Sequence, residues 1–266
     1  FPTRCSSDLI AFEILDIGGS MQTLEGKTVR EIALELPQTI RVFEEFKIDY
    51  CCGGRKLLSD ACEKAGVDPV KVMARIEALP EAETSRDDMK DKSSLPELMD
   101  HIVDKHHVFT RDELANLTPL MEKVARVHGD NHPELIELKS VFEEMTDDLI
   151  PHMMKEETVL FPYIDRMARN IKKGLLPPIP PFGTVGHPIQ MMSMEHEAVG
   201  DLLAKMRQLT NDYVTPPDAC PSFTGLYYRL AELERDLHVH IHLENNVLFP
   251  NAVEMEANAS ALAVQR

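Results

Sequence analysis

The sequence predicts an all-α protein, an antiparallel four-helix bundle preceded by a small helical N-terminal domain. Three observations predict it. The 266 residues include 14 Met, 12 Gly and no Trp, and nowhere do β-branched and aromatic residues alternate with polar ones as a half-buried strand requires. Four long amphipathic segments cover about 94–128, 134–169, 188–212 and 222–256. The segments also form two pairs that resemble one another, and two repeats of two helices bury their apolar stripes most compactly as a four-helix bundle.

In chain order, residues 1–20 have neither the basic stretch nor the continuous apolar core of a signal peptide, and they precede Met21. They are expected to be a leader outside the fold, and Cys5 with them. Residues 21–80 read as a compact helical domain. Thr28 caps a helix that runs to Leu36 and is stopped by Pro37. TIRVFEEF forms a second helix, broken by the glycines of KIDYCCGG. Asp68-Pro69 opens a third, DPVKVMARIEAL, with a capping side chain followed by a proline whose fixed φ suits the first turn. The stretch 81–94, EAETSRDDMKDKSS, is charged and poor in apolar residues, as a solvated linker is. The bundle is expected over 95–256, with a tail at 257–266. KKGLLPPIPPFGTVGHP divides its four segments two and two, since consecutive prolines cannot sit inside a helix. Pro151 removes one backbone hydrogen bond and is expected to kink the second segment just before His152.

The repeat carries the chemistry. Asp148-Leu149-x-x-His152-x-x-x-Glu156-x-x-Val159-Leu160-Phe161-Pro162 recurs as Asp236-Leu237-x-x-His240-x-x-x-Glu244-x-x-Val247-Leu248-Phe249-Pro250, eight of fifteen positions being identical at an offset of 88. His107 and Leu114 answer His196 and Leu203 at an offset of 89, which predicts a one-residue change in loop length. Residues four apart on a helix share a face, so each His projects with its Glu. Leu149, Val159 and Tyr163 lie on the face of His152, and Leu233, Leu237 and Val247 on that of His240. The polar pairs therefore ride in the apolar stripe. Two unpartnered buried carboxylates cost several kcal/mol each or take up protons, so something positive must lie between them. A pair of metal ions bound by imidazoles and bridged by carboxylates meets that need, and bundle cores are where such di-iron sites are built.

The facing helices add nitrogen. His196 shares its face with Met192, Val199 and Leu203. On the first helix His107 lines up with Val103 and Leu114 while His106 lines up with Met99 and Ile102, and the repeat favours His107. Six candidate ligands result: His107, His152, Glu156, His196, His240 and Glu244, an imidazole-rich set that suits iron. A lone histidine in an apolar face is ordinarily a core residue, and a single H-x-x-x-E is common surface decoration. Duplication of the motif, each copy followed by V-L-F-P, is what points to a metal site. Met99, Met145, Met192, Met194 and Met206 read as core packing. His101, His128, His132, His187, His238 and His242 read as surface or supporting residues. Asp148 and Asp236, one turn before their histidines, either orient ligands or are solvated.

With Lys plus Arg at 28 and Asp plus Glu at 45, the chain carries a formal charge of −17. Such a surface repels phosphate backbones and anionic lipid, and no apolar run approaches the roughly 18 residues of a membrane span, so neither nucleic acid nor a membrane is an expected partner. Five irregularly spaced cysteines do not form a disulfide framework, and a reducing cytoplasm is the simplest compartment. Cys62 and Cys220 read as ordinary buried thiols. The adjacent pair Cys51-Cys52 could close only a strained ring. It either does chemistry or binds metal, or else marks a tight glycine-terminated turn with two half-buried thiols.

At these residues the sequence resembles the RIC family of iron–sulfur cluster repair di-iron proteins, those of the ScdA and YtfE type. The matching stretches are IDYCCGG (48–54), HMMKEETVLFP (152–162), the EH of MSMEHEAVGDLL (192–203), LTNDYVTPPDAC (209–220) and HIHLENNVLFP (240–250), within a likeness covering about residues 25–255. The resemblance implies a hemerythrin-like bundle around two non-haem iron ions. It maps the ligands onto the same six residues, with Glu156 and Glu244 bridging beside an oxo or hydroxo group. It implies restoration of iron–sulfur clusters damaged by nitric oxide or oxidants, with damaged iron–sulfur proteins as partners and nitric oxide or O2 as small ligands. It also gives Cys51 and Cys52 functional weight, in handling iron, reducing the centre or exchanging thiols. Glu195, beside His196, is expected to line an access channel or relay protons. The leader before Met21 and Pro151 depart from the family pattern.

The expectation is a cytoplasmic protein that supplies iron for cluster repair. Two other readings stand beside it: a nitric oxide reductase working at the same centre, and a hemerythrin-like module that binds or senses O2 or nitric oxide without catalysis. A homodimer stays open.

Overall fold

In the computed structural model the described residues are Leu24, 26–79 and 94–264. The expected leader with Cys5, and all of the expected linker except Ser94, lie outside them. The chain divides into two compact units. One takes the described residues up to Ile48 and those from Arg55 to 79, and the other takes Asp49–Gly54 with everything from 94 onwards. Among the described residues every regular element is a helix, beside a single antiparallel bridge between Thr28 and Leu57.

The first unit holds α1 (Val29–Glu35), α2 (Ile40–Glu45), α3 (Leu58–Ala65) and α4 (Pro69–Glu77). α1 begins at Thr28 through a capping box: Thr28 Oγ1 accepts from the Glu31 N–H at 3.2 Å, and the Glu31 carboxylate accepts from the Thr28 N–H at 2.7 Å. Pro37 ends it by opening one 3₁₀ turn. Asp68 caps α4, accepting from the Val70 N–H at 2.9 Å. α3 carries no start signal in the sequence, because Leu57 offers no capping side chain; its end is set by Gly66 in the left-handed region at φ 70°. Val29, Ile32, Phe43, Leu58, Cys62 and Val72 are fully buried in this unit.

The second unit contains four long rods. α5 runs from Leu95 to His128, α6 from Glu134 to Lys172, α7 from Gly186 to Leu209 and α8 from Pro221 to Val264, so the last helix continues past 256. α6 packs against α5 and α7, and α8 against α5. The expected one-residue loop difference is not how the two halves differ. α7 ends six residues after Leu203 whereas α5 runs fourteen past Leu114, and a loop of eleven residues instead of five makes up most of the shortfall. α7 stops because Asn211, Asp212 and Tyr213 turn left-handed, at φ 49°, 60° and 60°. Thr210 Oγ1 steadies the turn by accepting from the Tyr213 N–H at 3.0 Å.

Three rods carry a π turn: Ile102–His107 in α5, Glu156–Leu160 in α6 and Glu244–Leu248 in α8. Each wide turn accommodates an extra residue and rotates the face that follows. Val159 and Val247, expected to face inward seven residues after their histidines, are instead exposed and half-buried, while Leu160 and Leu248 are buried in their place. In α5 the buried neighbour of His107 is Ile102, not Val103. α7 has no such turn, and there Met192, Val199 and Leu203 are buried as a 3.6-residue period demands. Pro162 and Pro250 stand two residues after their π turns end; having no N–H, they strand no donor where the helix recovers its pitch. Met194 is exposed rather than packed in the core, because it lies two residues from the buried Met192 and His196 and so on the outer side of α7. Cys220 is half-buried, its sulfur 3.2 Å from His128 Nε2.

The rods enclose two apolar clusters. One is built on Leu114, Leu138, Phe142, Leu203, Phe223 and Leu230, the other on Ile102, Leu160, Ile164, Val185, Leu248 and Ala252. On every rod the residues expected to bind metal fall at the boundary between the two clusters.

α6 stays helical through Pro151, and its irregularity comes five residues later at Glu156. Pro151 is exposed, and it leaves the Asp147 carbonyl without its usual i+4 donor. Pro151→Ala is therefore expected to raise bundle stability by up to about 3 kcal/mol in urea unfolding, with metal content unchanged. A loss of metal instead would mean that the proline aims His152.

Candidate metal centre

Between the two clusters lies a polar layer. His107 from α5, His152 and Glu156 from α6, His196 from α7, and His240 and Glu244 from α8 are all buried, both glutamates completely. They form two groups, His107–Glu156–His240–Glu244 and His152–Glu156–His196–Glu244, whose donor atoms in each case lie within 4.8 Å of one another. Both carboxylates are common to both groups. His107 Nε2 is 3.1 Å from His240 Nε2, and His152 Nε2 is 3.0 Å from His196 Nε2. Glu244 reaches His240 Nε2 at 3.0 Å and His196 Nε2 at 3.1 Å, and Glu156 stands 3.4 Å from both His107 Nε2 and His152 Nε2.

The outer nitrogens decide what the inner ones offer. His107 Nδ1 donates to Glu157 at 2.7 Å, His152 Nδ1 to Glu195 at 2.8 Å and His196 Nδ1 to Asn245 Oδ1 at 3.0 Å. Carboxylate and amide oxygens only accept, so the ring proton sits on Nδ1 and the Nε2 lone pair points inward in each neutral imidazole. Arg111 braces Glu157 at 2.7 Å, and Lys155 pairs with Glu195. Phe161 stacks on His107 and Phe249 on His196, with ring centroids 5.9 Å apart in both cases. These three imidazoles thus turn lone pairs on the layer's other nitrogens and carboxylates. Neither oxygen of Glu156 has a hydrogen-bond donor among the described residues. Only cations hold such an assembly together, either metal ions or protons, and the residues fit a pair of metal ions sharing two carboxylates.

Without metal the layer takes up protons. Burial, reinforced by Glu244, pushes Glu156 up to about 8. Burial acts to lower His107 and His196, yet the two carboxylates hold them at about 10 and about 9. Burial brings His152 down to about 4 and lowers His240. Burial acts to raise Glu244, but His240, His107 and His196 keep its carboxyl well below the usual range.

The remaining candidates fall elsewhere. Glu195 lies outside the layer, between His152 and Lys155, where it orients a histidine. His106 is buried beside the layer, stacked on His240 at 5.7 Å, and its Nδ1 donates to Asp236 at 3.0 Å; Asp236 therefore holds His106 and not His240. Asp148 is exposed. Cys51 and Cys52 belong to neither group and form one of their own with Asp49. His242 is buried, accepting from Asn246 Nδ2 at 2.9 Å. Glu157 and Asn245, absent from the sequence expectations, occupy equivalent places in the repeat, as do Phe161 and Phe249; the offset of 88 was the available signal.

Four antiparallel rods around a shared His/Glu layer define a hemerythrin-type cation-binding bundle, and residues 98–252 match the hemerythrin HHE cation binding domain. Residues 25–80 match ScdA_N, a domain of unknown function. The chain belongs to the family of iron–sulfur cluster repair proteins of the ScdA and YtfE type. It is 38% identical over 232 residues to the iron-sulfur cluster repair protein YtfE of Dickeya chrysanthemi, covering 86% of this chain and 98% of the relative. It is 34% identical over 221 residues to the iron-sulfur cluster repair protein ScdA of Staphylococcus haemolyticus, covering 83% and 95%. A probable iron-sulfur cluster repair protein of Haemophilus influenzae is 35% identical over 225 residues, 84% of this chain and 95% of that one.

Two outcomes follow from the protonated layer. Metal must displace protons from Glu156, His196 and His107, so affinity rises with pH between about 7 and 9, by about tenfold per unit for each proton displaced. Chelator competition across that range measures it, and a flat profile would contradict the arrangement. Glu156→Gln should lose metal yet stabilise the metal-free protein. A carboxyl raised to about 8 binds more protons folded than unfolded, so its contribution to stability falls as pH rises from about 4.5 to about 8. The metal-free variant should gain about 1–3 kcal/mol, most clearly near pH 8, in thermal unfolding.

Proposed function

We propose that this chain repairs iron–sulfur clusters damaged by nitric oxide or oxidants, by supplying iron from a pair of non-haem iron ions. The ions are held by His107, His152, Glu156, His196, His240 and Glu244, with both glutamates bridging. The observation that carries the reading is the inward convergence of four Nε2 atoms on two shared, fully buried carboxylates, one of which has no hydrogen-bond donor. Imidazole and carboxylate without thiolate in the layer suit iron. Six protein ligands for two ions leave coordination positions open, and the bound pair supplies exchangeable iron and sites for small ligands such as nitric oxide or O2.

The repair activity is carried over from the names of the relatives, which span most of the chain. Its partners are proteins whose clusters have lost iron. The four described cysteines are free thiols, which fits a cytoplasmic protein, and no helix among the described residues is long and apolar enough to cross a membrane.

Iron analysis with an optical spectrum tests the centre. Near two irons per chain are expected, falling to none in Glu156→Ala/Glu244→Ala while the helical circular dichroism is kept. Incubating iron-loaded protein with a nitric-oxide-damaged [4Fe–4S] enzyme should restore its activity as iron leaves this chain. Catalytic consumption of nitric oxide with a reductant, with both irons retained and no reactivation, would replace iron supply by nitric oxide reduction.

A further inference from the structure

The turn at Asp49–Gly54 is a built structure with no part in the six-residue layer. It belongs to the same compact unit as the bundle. Asp49 Oδ1 accepts from the N–H groups of Cys51 and Cys52, at 3.2 and 2.9 Å. The other carboxylate oxygen lies where a Cβ on Gly53 would come within 2.7 Å, so any larger residue there would push the Asp49 side chain aside. α8 anchors the turn through the residues that directly follow Glu244: Asn245 Nδ2 donates to the Cys51 carbonyl at 3.4 Å and Asn246 Nδ2 to the Tyr50 carbonyl at 3.0 Å.

This scaffold sets three ligand atoms together. The two sulfurs are 3.7 Å apart, and Asp49 Oδ1 is 3.5 Å from Cys51 Sγ. In a tetrahedral site with metal–sulfur bonds of about 2.3 Å and metal–oxygen bonds of about 2.0 Å, two sulfurs stand about 3.8 Å apart and a sulfur and an oxygen about 3.5 Å apart. The observed spacings are the edges of such a site. An aspartate-capped turn explains the amide bonds but not two thiols turned to the same side as the carboxylate. Cys52 Sγ also donates to the carbonyl oxygen of His196 at 3.5 Å, and it lies over Gly200, one turn further along α7, where a Cβ would stand 3.7 Å from the sulfur in ordinary contact. Cys51 is buried, Cys52 half-buried and Asp49 exposed, so the group opens outward at Asp49 and backs onto a residue of the layer.

We propose that Asp49, Cys51 and Cys52 form a third metal site, which takes one thiophilic divalent cation and carries iron(II) as cargo beside the di-iron centre. The proposal rests on the iron-supply reading. Paired thiolates select such ions over magnesium or calcium. Binding forms two metal–sulfur bonds and one metal–oxygen bond and releases the two thiol protons to water; no electron is transferred. The turn gives iron a place to pause between the buried layer and an acceptor.

The test uses full-length protein under anaerobic conditions, with cobalt(II) as probe. Iron-loaded wild type should bind one cobalt per chain, with thiolate-to-cobalt charge-transfer absorption, and iron(II) should compete for the site. Cys51→Ser/Cys52→Ser should lose that absorption and that ion while retaining both irons, which also reports an intact bundle. Asp49→Asn keeps an oxygen for the amides but removes the charge, and should weaken cobalt binding at least about tenfold. No thiolate absorption in the wild type, an unchanged ion count in the double serine variant, or unchanged affinity in Asp49→Asn would each overturn the site. Glu156→Ala/Glu244→Ala separates the two readings. It should keep the thiolate–cobalt signal without loading the two irons of the layer, whereas failure of the wild type to load those two irons counts against the di-iron centre alone.

Discussion

Two carboxylates buried among four imidazoles, one of them, Glu156, without a hydrogen-bond donor among the described residues, set the terms for the rest of the bundle. Glu156 and Glu244 are inaccessible to water, and the imidazole protons are held on the outer face by Glu157, Glu195 and Asn245. A charge in that position costs several kcal/mol unless a cation answers it. The π turns beginning at each glutamate, the phenylalanines stacked on His107 and His196, and the boundary between two apolar clusters all converge on this plane. Wide helical turns are costly and persist where a site needs them. Here they bring a glutamate and the start of the next apolar face into register at the same height.

The repeat makes the layer nearly two-fold symmetric, and its departures from symmetry separate the two hairpins. In the first, His107 and His152 are each held by a carboxylate that a cation braces, Glu157 by Arg111 and Glu195 by Lys155. In the second, His196 is held by the neutral Asn245, and His240 Nδ1 has no hydrogen-bond partner among the described residues. A carboxylate behind an imidazole makes it a more basic ligand. Each ion's group therefore combines one strongly supported histidine with one weakly supported one. Replacing the repeat's Glu157 by Asn245 does more than lower charge: the amide has a donor left over, and it is spent on the Cys51 carbonyl. The weaker hairpin is thus the one that grips the cysteine turn.

The repeat exposed the six-residue layer to sequence reading because i,i+4 spacing survives up to the π turn. His152 with Glu156, and His240 with Glu244, are separated by ordinary helix, so their shared face is legible. Beyond each glutamate the period changes, and Val159 and Val247 were assigned to a face that Leu160 and Leu248 occupy. Pro162 and Pro250 were the trace of that change in the sequence, since a proline costs least where the i−4 carbonyl is not waiting for its N–H. The supporting shell was less legible. Glu157, Asn245 and Glu195 lie on the side of the helix that amphipathic reasoning assigns to solvent, and their partners come from other rods. Helix α3, with neither a capping side chain nor a proline at its start, left no local mark of where it begins.

The apolar clusters on either side of the layer bear on whether the bundle needs metal to stay folded. Leu114, Leu138, Phe142 and Phe223 on one side, with Ile102, Leu160, Ile164 and Leu248 on the other, are fully buried without any help from metal, at about 1.5–3 kcal/mol for each such side chain. A bundle held on both sides of its centre does not need the ions to stay folded, unlike small domains whose metal affinity is their folding energy. Without metal, Glu156, His107 and His196 can take up protons in its place. The cost of an empty site is thereby confined to one layer. Proton uptake at the site, in place of unfolding, is the condition that the proposed supply of iron has to meet.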